Sequence, residues 1–253
     1  MNITRKHFLK LMAGSAVLAG VGSAVNAAVG DMQPHAAAEI GKQRWGMVID
    51  VRKCREEKGC DACISACHRT HNVPRLSDKK HEVKWIWNEP SEHVFPHQAG
   101  EYSGHPFGKT LPVLCNHCTK PACTRVCPTG ATWKRADGVV MMDYHRCIGC
   151  RYCMAACPYG SRSFNFENPR PHLANINPDY PTRAAGVVEK CNFCEERLAV
   201  GKLPACVEAC PTATLLFGDL NDEQSAIRRL LRERFSVQRR PELGCGPSIF
   251  YLV

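Results

Sequence analysis

The run Cys147-Ile148-Gly149-Cys150-Arg151-Tyr152-Cys153-Met154-Ala155-Ala156-Cys157-Pro158 constrains this chain more than any other stretch. Three cysteines at intervals of three residues, with Gly149 relieving the backbone, let one loop curl around a single inorganic cube and aim N–H groups at its sulfurs. Cys157 lies one helical turn beyond Cys153, about 5–6 Å along the axis, and so suits a second cluster better than the first. Pro158 stops the short helix, because it donates no backbone hydrogen bond and disfavours helical geometry at Cys157. The spacing is that of an iron–sulfur ligand run, and one such run predicts a partner.

Three further runs exist: Cys54-x5-Cys60-x2-Cys63-x3-Cys67, Cys115-x2-Cys118-x4-Cys123-x3-Cys127-Pro128, and Cys191-x2-Cys194-x11-Cys206-x3-Cys210-Pro211. Sixteen of the seventeen cysteines thus fall into four groups of four, each closing on C-x3-C, and are predicted to ligate four [4Fe-4S] clusters. Zinc also takes C-x2-C pairs, but it closes with four ligands and makes the third thiolate of C-x2-C-x2-C redundant. Disulfides would suit an exported chain, yet cysteines three apart along a tight loop bridge poorly. The five-residue gap after Cys54 leaves its ligation open. His68 and His71 follow Cys67 where the other runs have proline; they are read as groups outside the ligand set, with ligation or contact to a haem partner as the alternative. Cys245 has no companion and is expected to be a free or buried thiol.

Much of the 44% apolar content is Ala and Cys, so clusters should replace part of the hydrophobic core and leave the metal-free chain poorly folded. The net charge of +9 comes without a basic stripe interleaved with aromatics, and nucleic acid is not implied. Cations near anionic clusters have a local role instead: Arg125, Arg146, Arg151 and Lys190 are expected to raise cluster potentials. No paired carboxylates, nucleophile–base set or phosphate-cradling loop stands out, which favours an electron carrier over an enzyme.

Residues 1–28 have a basic start, an apolar stretch from Leu11 to Val25 and small residues to Ala28, the pattern of a signal peptide. Thr4-Arg5-Lys6-His7-Phe8-Leu9-Lys10 resembles a twin-arginine (Tat) box with Lys as its second basic residue. That route carries folded proteins, as cytoplasmic cluster insertion requires; an uncleaved anchor is the competing reading. Residues 29–44 read as a linker, Trp45 to Val51 as a strand, 73–109 as an insertion over the cluster units, and Thr110 to Leu114 as a lead into the second run. Ala131–Arg135 and Val139–Asp143 around Asp137-Gly138 predict a hairpin, and Ser163–Phe166 and Val187–Lys190 predict short strands. Asp222, Glu223, Ile227, Leu230, Leu231 and Phe235 predict an amphipathic helix with an acidic start. The apolar tail to Val253 should dock on its own sheet or on a partner.

With these runs, the chain resembles the four-cluster iron–sulfur subunits of the DMSO reductase, polysulfide reductase and formate-dehydrogenase β type over roughly residues 45–220. The resemblance implies an α+β fold of two interleaved bacterial-ferredoxin-like units with long loops and a C-terminal helix, one from 45–72 with 187–220 and one from 110–166, followed by a helix and tail over 221–253. It also implies the ligand sets Cys115, Cys118, Cys123 with Cys157; Cys147, Cys150, Cys153 with Cys127; Cys54, Cys60, Cys63 with Cys210; and Cys191, Cys194, Cys206 with Cys67. Asp143-Tyr144-His145-Arg146-Cys147, Tyr159 to Phe166, Gly218 to Asp222, the Tat-like leader and Cys67-His68-x2-His71-Asn72-Val73-Pro74 are similar to the exported O subunits of Dsr membrane complexes of sulfur metabolism and their Hme/Hmc-type relatives. That likeness implies a periplasmic electron-transfer role, with an integral quinone-interacting subunit and a multihaem cytochrome as neighbours. The iron–sulfur subunit of a molybdopterin oxidoreductase is the alternative.

Overall fold

The computed structural model describes residues 43–56, 59–98, 107 and 110–253. The expected leader and all but Gln43 and Arg44 of the expected linker lie outside the described residues. The predicted first strand is β1, Trp45–Asp50, and its near-continuous burial follows from its place inside a four-stranded sheet, with a strand paired on each side. β8 (Leu215–Asp219) pairs antiparallel with β1, setting Met47 opposite Phe217. The apolar tail forms β10 (Ile249–Leu252), which runs parallel to β1 with Met47 opposite Ile249, and β9 (Ser236–Val237) closes the other edge. The tail's host is therefore its own sheet.

Helix α1 (Val51–Glu56) carries Cys54, and α2 (Ala62–Thr70) carries Cys63 and Cys67. β2 (Ile86–Pro90) pairs antiparallel with β3 (Thr110–Leu114), and the segment expected to lie over the cluster units supplies Val83, Trp85, Ile86, Trp87 and Val94 to the largest core, which also holds Cys67, Cys115, Cys191 and Cys206. The predicted hairpin is present as β4 (Thr132–Lys134) against β5 (Val140–Met142), with Gly138 at φ +87° in the turn. β6 (Ser163–Phe164) and β7 (Val188–Glu189) form a second short ladder where strands are predicted. The architecture is α+β.

Three helices of one turn, Ala122–Arg125, Tyr152–Ala155 and Ala205–Glu208, each start one residue before the third cysteine of a run. In each case Cys-Pro follows two residues past the helix, because proline keeps the preceding cysteine from extending it. The first run has His68 in place of that proline, and its helix continues through Cys67 to Thr70. After Cys127, Cys157 and Cys210 the chain makes the same turn: the N–H three residues on donates to the cysteine carbonyl, and Gly130, Gly160 and Ala213 adopt φ of +62°, +64° and +48°.

The C-terminal helix, Ala226–Glu233, departs from expectation at both ends. Ser225 caps it by accepting a hydrogen bond from the Arg228 N–H, while Asp222 and Glu223 precede it and its first turn holds no acidic residue. Ile227 packs against Val48 and Leu252, but Phe235 falls beyond the helix end and is 73% exposed, so it is not part of the apolar stripe. Among the described residues no helix is long and apolar enough to cross a membrane.

Candidate metal centres

The structure gathers the sixteen predicted cysteines into four places, each holding three thiols from one run and the last thiol of another. Cys54, Cys60, Cys63 and Cys210 line one cavity with Pro112, Thr212 and Thr214. Cys127 lines another with Cys147, Cys150 and Cys153. Cys118 interacts electrostatically with Cys115, Cys123 and Cys157, and the buried Cys67 does so with Cys191, Cys206 and Cys194. Cys54, whose ligation the long gap left open, stands with its run, because α1 brings it to the cavity that Cys60 and Cys63 also line.

The spacing of these thiols discriminates between metals. One tetrahedral zinc with Zn–S of about 2.3 Å draws its sulfurs to about 3.8 Å of one another. Among the described residues, the ligand atoms that converge within 4.8 Å of one another in threes are those of His71, Cys194 and Glu196, so no three thiols are so tightly drawn. Four thiols around a wider space fit a polynuclear cluster instead. Amides point into these places as well: Thr214 N–H donates to Cys210 Sγ at 3.2 Å, Phe193 N–H to Cys191 Sγ at 3.4 Å, Ala205 N–H to Cys194 Sγ at 3.4 Å and Val188 N–H to Cys147 Sγ at 3.5 Å.

Charge makes the same demand. Burial, and next the charge of Cys210, push the Cys63 thiol up to about 12, and burial with Cys115 pushes Cys191 up to about 12. Four such thiolates will not share one place unless a metal cation offsets them. Cys210 and Cys127 go the other way. Burial opposes the shift, but the N–H groups of Leu215 and Thr214 lower Cys210, and the Thr129 hydroxyl with the Thr132 N–H lowers Cys127. The repeated Cys-Pro turn is what aims these donors.

Interactions between places put them in a row. Cys153 meets the charge of Cys123, Cys191 that of Cys115, and Cys67 and Cys206 that of Cys63. The order is the Cys147 place, the Cys115 place, the Cys191 place, then the Cys54 place. Cys150 and Cys60 are exposed, one at each end, while the four thiols of the Cys191 place are all buried.

Three of the four cations expected beside the ligands are exposed. Arg125 and Arg151 are exposed, Arg151 lying over the Phe164 ring at 5.2 Å, and the exposed Arg146 pairs with Asp143, so solvent screens all three. Lys190 is buried and donates from Nζ to the carbonyls of Val140 and Cys191. The residue that sequence reasoning missed is Arg162, 4% exposed, which donates to Cys123 Sγ at 3.0 Å and to Thr132 Oγ1 at 2.8 Å. Burial would lower its pKa, but the charges of Cys123, Cys153 and Cys115 hold it above its usual value. Its position after a Cys-Pro turn is its one mark in the sequence. Replacing Arg162 by glutamine is expected to lower the midpoint potential of the Cys115 or Cys147 place in a redox titration followed by electron paramagnetic resonance. An unchanged titration would remove Arg162 from that control.

His71 is buried, stacks on Trp85 at 4.7 Å, donates from Nε2 to Glu196 Oε1 at 2.8 Å and sits 3.0 Å from the Cys67 carbonyl, so it braces the helix end. His68 lines a surface cavity with Arg69, Arg75 and His172, and burial with Arg75 lowers its pKa to about 4. A methyl on Gly149, which holds φ +70°, would stand 2.4 Å from the Gly186 carbonyl oxygen. Gly149→Ala is accordingly expected to strip about four iron atoms, those of the Cys147 place, from the anaerobically isolated protein, as counted by metal analysis.

A 4Fe-4S dicluster domain model matches residues 107–170 and 177–220 of the chain. The chain is 42% identical over 230 residues to the Hdr-like menaquinol oxidoreductase iron–sulfur subunit 1 of Archaeoglobus fulgidus, covering 83% of each. It is 39% identical over 217 residues to a protein of Halobacterium salinarum named for the iron–sulfur subunit of a dimethyl sulfoxide reductase, covering 82% of this chain and 78% of that one. It is 36% identical over 238 residues to the menaquinone reductase iron–sulfur cluster-binding subunit of Nitratidesulfovibrio vulgaris, covering 83% of this chain and 89% of that one.

Proposed function

This chain belongs to the 4Fe-4S dicluster family of electron-transfer subunits of oxidoreductase complexes, and from that premise we propose that it holds four [4Fe-4S] clusters and relays single electrons along them. The supporting observation is the row of four thiol groups with an exposed cysteine at each end. The ligand sets are Cys147, Cys150, Cys153 and Cys127; Cys115, Cys118, Cys123 and Cys157; Cys191, Cys194, Cys206 and Cys67; and Cys54, Cys60, Cys63 and Cys210. Two ferredoxin-like units are interleaved by this exchange of last thiols. When bound, each cluster supplies a one-electron couple. The chain's residues hold the clusters in order, shield the inner two from water, and set their potentials through the amides and Arg162 that meet the sulfurs.

The partners in this reading are an integral quinone-interacting subunit and a multihaem cytochrome, in a Dsr-type membrane complex of sulfur metabolism, with the chain exported to the periplasm by the Tat route and held on the membrane by its partners. Relatives named for menaquinol oxidation and menaquinone reduction favour the quinone link. The relative named for dimethyl sulfoxide reduction favours a second reading, the electron-transfer subunit of a molybdopterin enzyme. Isolation of the native complex tests both. A co-purifying membrane subunit and multihaem cytochrome are expected; a molybdopterin subunit in their place selects the second reading, and a cytoplasmic complex overturns the export.

A further inference from the structure

Cys245, the seventeenth cysteine, does not stand alone. It is buried in a cluster with Cys118 and Tyr159, with Cys157 packed against it, and its charge acts on Cys118. Gly244 and Gly246, at φ +64° and +63°, set it in a sharp loop. That loop is tied to the Cys118 segment itself: Thr119 N–H donates to the Gly246 carbonyl at 2.7 Å and Lys120 N–H to the Cys245 carbonyl at 2.9 Å. The tail strand β10 thus anchors a fifth thiol beside the four of the Cys115 place.

The surroundings shared by Cys118 and Cys245 suit one anionic sulfur, whichever of the two holds the metal. The Tyr159 side chain is 4% exposed, its hydroxyl makes no hydrogen bond of good geometry, and it interacts with both the Cys118 and Cys245 thiols. Arg239, 5% exposed, lies over the Tyr159 ring at 5.5 Å, and its Nε and Nη1 have no partner. A buried phenol and a buried guanidinium with free donors are costly beside neutral sulfur and well matched to anionic sulfur.

We propose that Cys245 is a reserve ligand of the Cys115 site, able to replace Cys118 on its iron. The exchange breaks one iron–sulfur bond at Cys118 and forms one at Cys245. The proton of the Cys245 thiol passes to the Cys118 sulfur, and no electron is transferred. Cys118 is the partner because it shares a buried cluster with Cys245, and the two residues that follow it, Thr119 and Lys120, are hydrogen-bonded to the Cys245 loop. The inference rests on the cluster reading above.

The test is iron and sulfide analysis, with electron paramagnetic resonance, of the anaerobically isolated full chain and its variants. Cys245→Ala is expected to retain the full complement of about sixteen iron. Cys118→Ala should retain nearly all of it, with the signal of one cluster shifted, and Cys118→Ala/Cys245→Ala should lose about four. Equal iron in the single Cys118 variant and the double variant overturns the proposal. If Cys118→Ala does not accumulate, Cys118→Ser serves: its cluster spectrum should change when Cys245→Ala is added, and identical spectra overturn the proposal equally. A wild-type chain without iron would instead overturn the cluster reading, so the two failures are distinct.

Discussion

Arg183→Met is expected to destabilise the folded chain by about 3–5 kcal/mol, the cost of leaving a buried carboxylate without its cation. Arg183 Nη2 lies 2.6 Å from Glu189 Oε2, with both side chains fully buried. Arg183 also donates to the carbonyls of His71 and Asn72 and lies over the Trp85 ring at 5.4 Å. Glu189 accepts from Trp85 Nε1 at 3.0 Å and from Asn165 Nδ2 at 2.5 Å. The pair therefore ties the segment just after Cys67 to the strand just before Cys191, two thiols of one site that are far apart in the chain. Its desolvation is offset in place by these donors, but the carboxylate alone would not be. Denaturant midpoints of the anaerobic protein provide the measurement, and Arg183→Met/Glu189→Gln should recover most of the loss. A single variant as stable as the wild type would show that the pair contributes nothing net.

Removal of iron by a chelator under reducing conditions is expected to unfold one part of the chain before another. The core between the β4–β5 and β6–β7 ladders is small: Ala131, Met142, Cys153 and Val188 with Cys123, Cys127, Cys147, Tyr144, Met154 and Phe164 packed on it, so four of its ten members are thiols that depend on the cluster. The main core holds Met47, Ile49, Trp85, Ile86, Leu111, Val113, Ile249 and Tyr251 and needs no metal to be apolar. Amide hydrogen exchange should therefore speed up by orders of magnitude in residues 132–134, 140–142, 163–164 and 188–189 while β1 and β10 stay protected. Uniform loss of protection, or none, would contradict this division.

The C-x3-C-P runs, the short helices they end, the Asp137-Gly138 hairpin and β1 are all legible in the order of residues alone, since each depends on neighbours close in sequence. The acidic start expected of the last helix is misplaced because Ser225, not Asp222, provides the cap, and Phe235 keeps the 3.6-residue period after the helix has ended. The insertion shows no period because in its strand the neighbours Ile86 and Trp87 are both buried while Asn88 is exposed. Cations beside cysteines in sequence are mostly exposed, whereas Arg162 reaches Cys123 across 39 residues.

By itself the sequence determined that sixteen cysteines would fall into four ligand-type runs, because such a run is made by neighbours a few residues apart and its spacing is written along the chain. Only the tertiary structure decided the order of the four places, which of them meet solvent, and that Arg162, Arg183 and Cys245 attend them. Those contacts are made by strands that pair across most of the chain, as β10 does with β1, and charge acts through space at distances that sequence separation does not record.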